Sequence, residues 1–150
     1  VLFEDADEWF EDGKYSPYML LVTNLKKEKR TSLTSDEKNF LGLERLNVVR
    51  SVVPAITHVD YSARIQTVNS ITNPRYYNLI SKFKEKTGCP IIVNTSFNIR
   101  GEPIVCTPKD ALRCFMSTEL DVLSIGNFIL FKKEQNLLLK NNYIKEYELD

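Results

Sequence analysis

Polar side chains that can bind an anion follow an apolar segment near the middle of the chain. Residues 91–93 are Ile-Ile-Val, which predicts a short buried strand, and Asn94, Ser96 and Asn98 alternate beyond it. If the strand continues, these three side chains share one face and offer hydrogen-bond donors to phosphate oxygens or to a ribose. Backbone amides around Arg100 can add an anion-binding nest. The alternative is an Asn- and Ser-rich turn between two strands.

A second polar cluster surrounds His58, the only histidine of the chain. The alternation over residues 63–68 predicts a strand with Arg64 and Gln66 on one face. An arginine in that position can bind phosphate or carboxylate through two parallel donors. Two interpretations stay open, because Arg64 can face a ligand cleft or form an edge ion pair with Asp60 or a nearby Glu. His58 likewise belongs either to this site or to the structural core.

Several kinds of site are not supported. There is no Walker A sequence and no G-x-G-x-x-G, so neither a P-loop nor a Rossmann cofactor site is expected. One histidine and three cysteines without metal spacing predict no protein metal site, whereas Mg²⁺ carried in by a nucleotide is compatible with the sequence. No Ser-His-Asp or Cys-His arrangement has supporting spacing.

The composition is that of one ordinary globular domain, and its net charge creates no long-range electrostatic field that would attract polyanions. The 150 residues carry 20 basic and 20 acidic side chains and a net charge of +0, so nucleic acid is not an expected partner. The run at 26–30 is interrupted by Glu28 and predicts a solvated loop. The cysteine pattern favours a reducing cytosol, with Cys106 and Cys114 as small buried hydrophobes. No segment approaches the ~18 apolar residues of a membrane span, and no basic leader is present.

Helices and strands alternate along the chain, which predicts an α/β domain with a mixed sheet. Antiparallel pairing is expected within residues 56–67 and within 122–131, the latter around the turn Gly126-Asn127. A charged tail follows Lys132. Helices are predicted at 5–10, 74–87 and 108–116, a helix or irregular hairpin at 34–43, and strands at 19–22, 52–57, 63–68, 91–93, 121–125 and 128–131.

Two long motifs make the chain resemble the C-terminal domain of NodU/CmcH/TobZ-type O-carbamoyltransferases. One is P-A-I-T-H-V-D at 54–60, continuing to A-R-I-Q-T-V at 63–68. The other is P-I-I-V-N-T-S-F-N-I-R-G-E-P-I-V at 90–105. The stretches T-P-K-D-A and D-V-L-S-I-G, which begin at residues 107 and 121, also agree. The resemblance covers residues 1–133 as one domain and leaves 134–150 as a C-terminal tail.

The resemblance implies a YrdC-like α/β fold, a twisted mixed β-sheet with flanking helices, here N-terminally truncated. It implies an enzyme domain that forms carbamoyl-adenylate from carbamoyl phosphate and ATP. A Kae1-like domain of the same parent chain would then transfer the carbamoyl group to a small-molecule hydroxyl. ATP would be a substrate, no tightly bound cofactor is implied, and the location would be cytoplasmic without a membrane partner.

The resemblance also assigns roles to individual residues. Arg64 would bind phosphate of carbamoyl phosphate or ATP, while Asn94 and Ser96 would contact the nucleotide phosphates and the adenylate. Arg64 and Ser96 are the implied catalytic pair. The other residues implied at the same cleft are His58, Asp60, Asn98 and Arg100.

The chain departs from the family pattern in two places. Tyr61-Ser62 stands where the family has Gly-Thr or Gly-Ser after H-V-D, and the basic stretch of the K-x-R-E-x-F-R-P kind does not precede Val1. The isolated fragment is therefore expected to be inactive as a transferase. The alternatives are a non-catalytic YrdC-like module that holds nucleotide or RNA, and a domain that only packs against a partner.

Overall fold

The computed structural model describes residues 1–135. The chain divides into two compact units, Val1–Val93 and a second unit that begins at Asn94. Each unit has an apolar core of its own. No helix within residues 1–135 has the length and apolar character needed to cross a membrane.

The first unit combines short helices with one small sheet. Its elements are α1 (Ala6–Trp9), β1 (Leu21–Asn24), α2 (Ser35–Asn39), β2 (Ser62–Ile65) and α3 (Pro74–Thr87). Helical 3₁₀ turns lie at Phe3–Asp5, Lys27–Lys29, Gly42–Asn47 and Pro54–Ile56. Of the helix and the irregular hairpin that the sequence left open at 34–43, the helix forms as α2, where Thr34 and Glu37 form a reciprocal capping box.

Strand β2 pairs antiparallel with β1, so that Arg64 lies opposite Val22. Ala63 and Ile65 are buried while Arg64 is exposed, which confirms the predicted alternation. The antiparallel pairing predicted within residues 56–67 is wrong. Residues 54–56 form a 3₁₀ turn where a strand was expected, because Pro54 has no backbone N–H for a strand ladder. Strand β1 also begins later than predicted, and it is largely exposed rather than buried.

The main core of the first unit collects apolar side chains from α1, β2 and the segment before residue 93. Phe10 and Leu25 are almost completely buried in it, and Ile91 packs there too. No strand forms over residues 91–93, contrary to the prediction. Ile91 is buried and Val93 is 52% exposed, so the apolar character of this segment serves side-chain packing without a strand ladder.

Helix α3 follows its sequence signals closely. The side chain of Asn73 accepts a hydrogen bond from the backbone of Tyr76 at the first turn, and Gly88 ends the helix at φ 75°. Ile80 is fully buried in a second cluster with Leu2 and Val68. Lys84 donates to both carboxylate oxygens of Asp5, at 2.7 and 2.8 Å, which raises the pKa of the lysine.

The second unit contains α4 (Pro108–Ser117) and a hairpin of β3 (Val122–Ile125) and β4 (Phe128–Phe131). The hairpin is confirmed, with Gly126 at φ 58° in its turn. Ala111, Phe115 and Met116 of α4 pack on Leu123 to form the core. The amino group of Lys132 donates to carbonyls at the end of α4, including that of Thr118 at 2.8 Å.

The fold class is mixed α/β, as predicted, but the sheet differs from the expectation. Within residues 1–135 the strands form two separate two-stranded antiparallel sheets rather than one twisted mixed sheet. A parallel bridge joins Leu2 and Val68. The predicted C-terminal tail begins with a 3₁₀ turn at Lys132–Glu134, and its remainder lies outside the described residues.

The capping box of α4 gives the first test of the structure. Thr107 accepts from the backbone of Asp110, and Asp110 accepts from the backbone and the hydroxyl of Thr107. We expect Thr107→Ala to lower the free energy of unfolding by about 1 kcal/mol. Urea denaturation measures this change. Thr95→Ala is the control, since Thr95 is exposed, and an equal loss in both variants would contradict the capping role.

Candidate functional site

Arg64 extends from the exposed face of β2 and binds a backbone carbonyl. Its Nε and Nη2 donate to the carbonyl of Met19 at 3.3 and 3.0 Å. Its Nη1 meets no acceptor within residues 1–135. The ion pair with Asp60 that the sequence left open is not formed in this part of the chain. Arg64 therefore keeps donors available for an anion, and its guanidinium is steadied from one side.

The segment that presents the Met19 carbonyl is tied to β2 and to the residues that follow it. Met19 has φ 57°, a left-handed conformation that is uncommon for a residue with a side chain. Gln66 shares the face of Arg64, as predicted, and its amide donates to the carbonyl of Pro17 at 2.8 Å. Ser16 adds bonds from its hydroxyl to Ile65 and from its backbone to Thr67. These contacts place the acceptor for Arg64.

His58 and Asp60 lie in a tight turn that closes on Ser62. The backbone of His58 donates to the carbonyl of Ser62 at 2.8 Å, and His58 Nδ1 lies 2.8 Å from Ser62 Oγ. Asp60 accepts from the backbone N–H of Ser62 at 3.0 Å. Hydrogen bonds from the side chain and backbone of Ser62 lower the pKa of Asp60. Asp60 is therefore ionised at neutral pH.

Tyr61 occupies the strained position of this turn. Its φ is 66°, in the left-handed region, where the resemblance places glycine. Two backbone bonds hold it there, one to the carbonyl of His58 and one from the N–H of Leu25. The guanidinium of Arg30 lies 5.1 Å from the centre of its ring, within the range of a cation–π contact. These contacts offset the conformational cost.

The run at 26–30 has specific contacts on the surface of the first unit. Lys29 pairs with Glu8 at 2.6 Å and lies over the ring of Trp9, and Arg30 pairs with Glu11 at 3.0 Å. The run is thus a surface segment with a 3₁₀ turn and specific side-chain contacts, beyond the solvated loop predicted from sequence. Its charge is partly neutralised by these carboxylates.

The second polar run of the sequence lies in the second unit as an irregular loop. Asn94 and Ser96 are exposed whereas Asn98 is half-buried, and no strand forms over this segment. The strand on which one alternating face depended does not continue past Val93, so the alternative of an Asn- and Ser-rich irregular segment is the one that forms. The Ser96 hydroxyl and the Arg100 guanidinium are exposed and meet no partner within residues 1–135.

Asn98 holds this loop together. Its amide nitrogen donates to the carbonyls of Ile99 and Glu102, each at 3.1 Å. The N–H of Val105 donates to the carbonyl of Phe97 at 3.0 Å, which closes the loop at its base. The Asn98 amide thus supports the bend that presents Arg100.

The cysteines carry no disulfide in the described part of the chain. Cys114 is buried as predicted, and burial raises the pKa of its thiol. Cys106 is exposed, so the prediction of a buried residue is wrong there, because no strand end forms around it. Residues 1–135 contain no group of three or more potential metal-binding side chains.

One cleft of the first unit adds a residue that the sequence did not single out. It is a surface depression that is largely open to solvent, with a volume of ≈ 520 Å³, and it is lined by Arg45, His58, Val59 and Asp60. Arg45 belongs to the 3₁₀ turn at Gly42–Asn47, in a segment without a motif. No local signal places it beside the H-V-D sequence, because that proximity comes from the path of the chain.

The left-handed conformation of Tyr61 predicts that a glycine variant is more stable than an alanine variant at this position, the reverse of the order at an ordinary position. Tyr61→Ala and Tyr61→Gly both remove the ring, but alanine pays the left-handed penalty and glycine does not. We expect the alanine variant to be less stable by about 1 kcal/mol in urea denaturation. At Tyr18, which is 78% exposed and has no positive φ, glycine should not be the more stable of the two. Equal free energies of unfolding for Tyr61→Ala and Tyr61→Gly would show that the backbone at position 61 is not strained.

Known proteins match this chain over nearly its whole length. An uncharacterized protein of Synechocystis sp. is 52% identical over 100% of the chain and 25% of its own length. The nodulation protein NolO of Bradyrhizobium diazoefficiens is 41% identical over 91% of the chain. The 3'-hydroxymethylcephem-O-carbamoyltransferase of Streptomyces clavuligerus is 36% identical over 83%.

The chain spans a quarter or less of the length of these relatives, 25%, 22% and 20% in the same order. The family model described as Carbamoyltransferase C-terminus matches residues 1–132. That match includes the H-V-D turn, Arg64 and the loop at 94–105. The chain therefore belongs to the family of carbamoyltransferase C-terminal domains.

Proposed function

We propose that this domain activates a carbamoyl group for transfer by forming carbamoyl-adenylate from carbamoyl phosphate and ATP. The observation that carries the proposal is Arg64, an exposed arginine steadied by the Met19 carbonyl and free of ion pairs within residues 1–135. A guanidinium held in this way retains donors for phosphate oxygens. Membership of the carbamoyltransferase family supports the choice of substrate.

The proposed roles follow the chemistry of each side chain. Arg64 binds a phosphate of carbamoyl phosphate or ATP. Ser96 offers an exposed hydroxyl, and Asn94 an exposed amide, to the nucleotide phosphates and the adenylate. Arg100 adds a second cation from the exposed bend of the same loop. His58 and Asp60 are proposed to contact the ligand from the turn at 58–62, and Asn98 supports the bend that carries Arg100.

The reaction balances in two steps. Water releases inorganic phosphate from carbamoyl phosphate and leaves carbamate. A carbamate oxygen then attacks the α-phosphorus of ATP, a phosphorus–oxygen bond forms, and pyrophosphate departs. Negative charge redistributes over the phosphate oxygens in this step, so donors that are already in place lower the barrier. Exclusion of further water protects the adenylate from hydrolysis.

The transfer itself is proposed to occur on another domain of the parent protein. The relatives are about four to six times longer than the matched segment, since it covers 17% to 25% of their length. A Kae1-like domain would carry the carbamoyl group from the adenylate to a small-molecule hydroxyl. One relative is described as acting on a 3'-hydroxymethylcephem, which is a hydroxyl acceptor of this kind.

A module that holds nucleotide or RNA without turnover is the other candidate. RNA binding is disfavoured because the net charge is +0 and two of the cations at 26–30 pair with Glu8 and Glu11. A nucleotide-binding module would keep affinity for ATP but show no exchange of pyrophosphate into it.

The test is carbamoyl-phosphate-dependent exchange of labelled pyrophosphate into ATP by the full-length protein that carries this chain. We expect Arg64→Ala and Ser96→Ala each to lower the exchange rate by about 100-fold, the usual effect of removing a donor from a charge-stabilising site. The matched controls are Arg75→Ala and Ser117→Ala, both at exposed positions. Exchange that is unchanged in the Arg64 and Ser96 variants would refute these roles.

A further inference from the structure

Residues 18–22, which we call the apolar ridge, place a run of large apolar side chains at the surface of the first unit. Their sequence is Tyr-Met-Leu-Leu-Val. Tyr18 is 78% exposed, Leu20 is 77% exposed and Val22 is 60% exposed, and Leu21 is exposed as well. Single apolar side chains are common on protein surfaces, whereas a contiguous set of them is typical of a surface that another chain covers.

The ridge is held in place by polar side chains and not by burial of its own apolar ones. The amide of Gln66 donates to the carbonyl of Pro17 at 2.8 Å, and the guanidinium of Arg64 donates to the carbonyl of Met19 at 3.0 Å. In an ordinary surface segment the apolar side chains are the anchors and the polar ones face water. Here the polar groups are the anchors, so the fold fixes a backbone that keeps apolar side chains in solvent.

The backbone of this segment can be covered without leaving these hydrogen-bond acceptors unpaired. The carbonyl of Ser16 accepts from the N–H of Thr67 at 2.8 Å, and the carbonyls of Pro17 and Met19 have the donors just described. Burial of an unpaired carbonyl would oppose docking, because the group would lose its hydrogen bonds to water. A chain that covers the ridge therefore removes apolar area from water without that penalty at these three positions.

The relatives show how much further chain is available to cover the ridge. The matched segment makes up 25% of the length of the Synechocystis relative and 20% of the cephem carbamoyltransferase. A segment tethered to this domain in the same polypeptide meets the ridge at an effective concentration on the order of millimolar. A second copy of the chain, present at a lower concentration, competes poorly with it. These two facts favour an occupant from the same polypeptide.

We propose that the apolar ridge is an intramolecular docking surface, covered in the full-length protein by an apolar face of the parent chain outside residues 1–150. The inference goes beyond the proposed function and does not depend on it, since it rests on exposure, hydrogen bonding and chain length. Val22 lies opposite Arg64 across the ladder of β1 and β2. The docked segment therefore borders the sheet face that carries this arginine, and removal of apolar area from water drives the contact.

Hydroxyl-radical footprinting of the full-length protein that carries this chain measures whether the ridge is covered. Leu20 is compared with Ile71, an aliphatic side chain that is 90% exposed and is flanked by Ser70 and Thr72. Both residues are labelled in the same molecule, so they share the fold and the radical dose. We expect Leu20 to be labelled about five-fold more slowly than Ile71, because a residue at the centre of an interface loses most of its exposed area. Similar labelling rates would overturn the proposal.

Photo-crosslinking identifies the occupant. The residue p-benzoylphenylalanine replaces Tyr18 in the full-length protein and keeps an aromatic ring at that position. Two isotopic forms of the variant are mixed before irradiation, so mass spectrometry separates links within one chain from links between copies. We expect links to peptides of the same chain outside residues 1–150. Links between two copies, or links only to residues 1–150, would contradict an intramolecular partner.

Two matched substitutions measure the energetic contribution of the contact. Leu20→Asp places a carboxylate on the ridge, and Ile71→Asp places one at the exposed control position. We expect Leu20→Asp to lower the thermal unfolding midpoint of the full-length protein by about 4 °C more than Ile71→Asp does, because a covered carboxylate must lose its water. An equal shift in the two variants would mean that Leu20 remains in solvent.

Discussion

Burial of one face of strand β2 is the constraint on which the candidate site of the first unit depends. Ala63 is 0% exposed and Ile65 is 3% exposed, and both belong to the main core. Because side chains alternate along a strand, their burial forces Arg64 outward. A shift of one residue would bury the guanidinium and expose the apolar pair, at a cost of several kcal/mol for the desolvated charge. The apolar core thus decides where the cation lies.

The groups around this strand are held by hydrogen bonds of the main chain more than by ion pairs. Met19 offers its carbonyl to Arg64, and the turn after His58 closes on Ser62. Both segments contain a residue with positive φ, Met19 and Tyr61. Left-handed conformations of this kind cost energy and persist only where neighbouring contacts over-determine them. Tyr61 directly precedes β2, and Met19 accepts both hydrogen bonds of the Arg64 side chain.

The second unit also exposes polar side chains on a fixed backbone, but it uses a loop closed by hydrogen bonds instead of a strand. Its loop carries the exposed Ser96 and Arg100, and the amide of Asn98 closes the bend by binding two carbonyls. The base of the loop packs on the helix and hairpin, since Phe97 and Val105 contact the cluster that includes Phe115. A polar loop thereby gains a defined shape from an apolar support.

The sequence by itself determined the elements whose signals are local. The capping boxes at Thr34 and Thr107, the start of α3 at Asn73 and the hairpin turn at Gly126 depend on residues within a few positions of one another. The alternation that exposes Arg64 is equally local. The resemblance carried by the two long motifs also came from sequence alone, and the family match agrees with it.

Only the tertiary structure decided which strands pair and which distant residues form hydrogen bonds. The strand partner of β2 is β1, about 40 residues earlier in the chain, and the acceptor for Arg64 is Met19, 45 residues away. Arg45 meets the H-V-D turn in the same way. The apolar segment at 91–93 predicted a strand, but Ile91 is buried in the core without any strand hydrogen bonds. Such contacts depend on how remote segments pack, and no local pattern of residues records that.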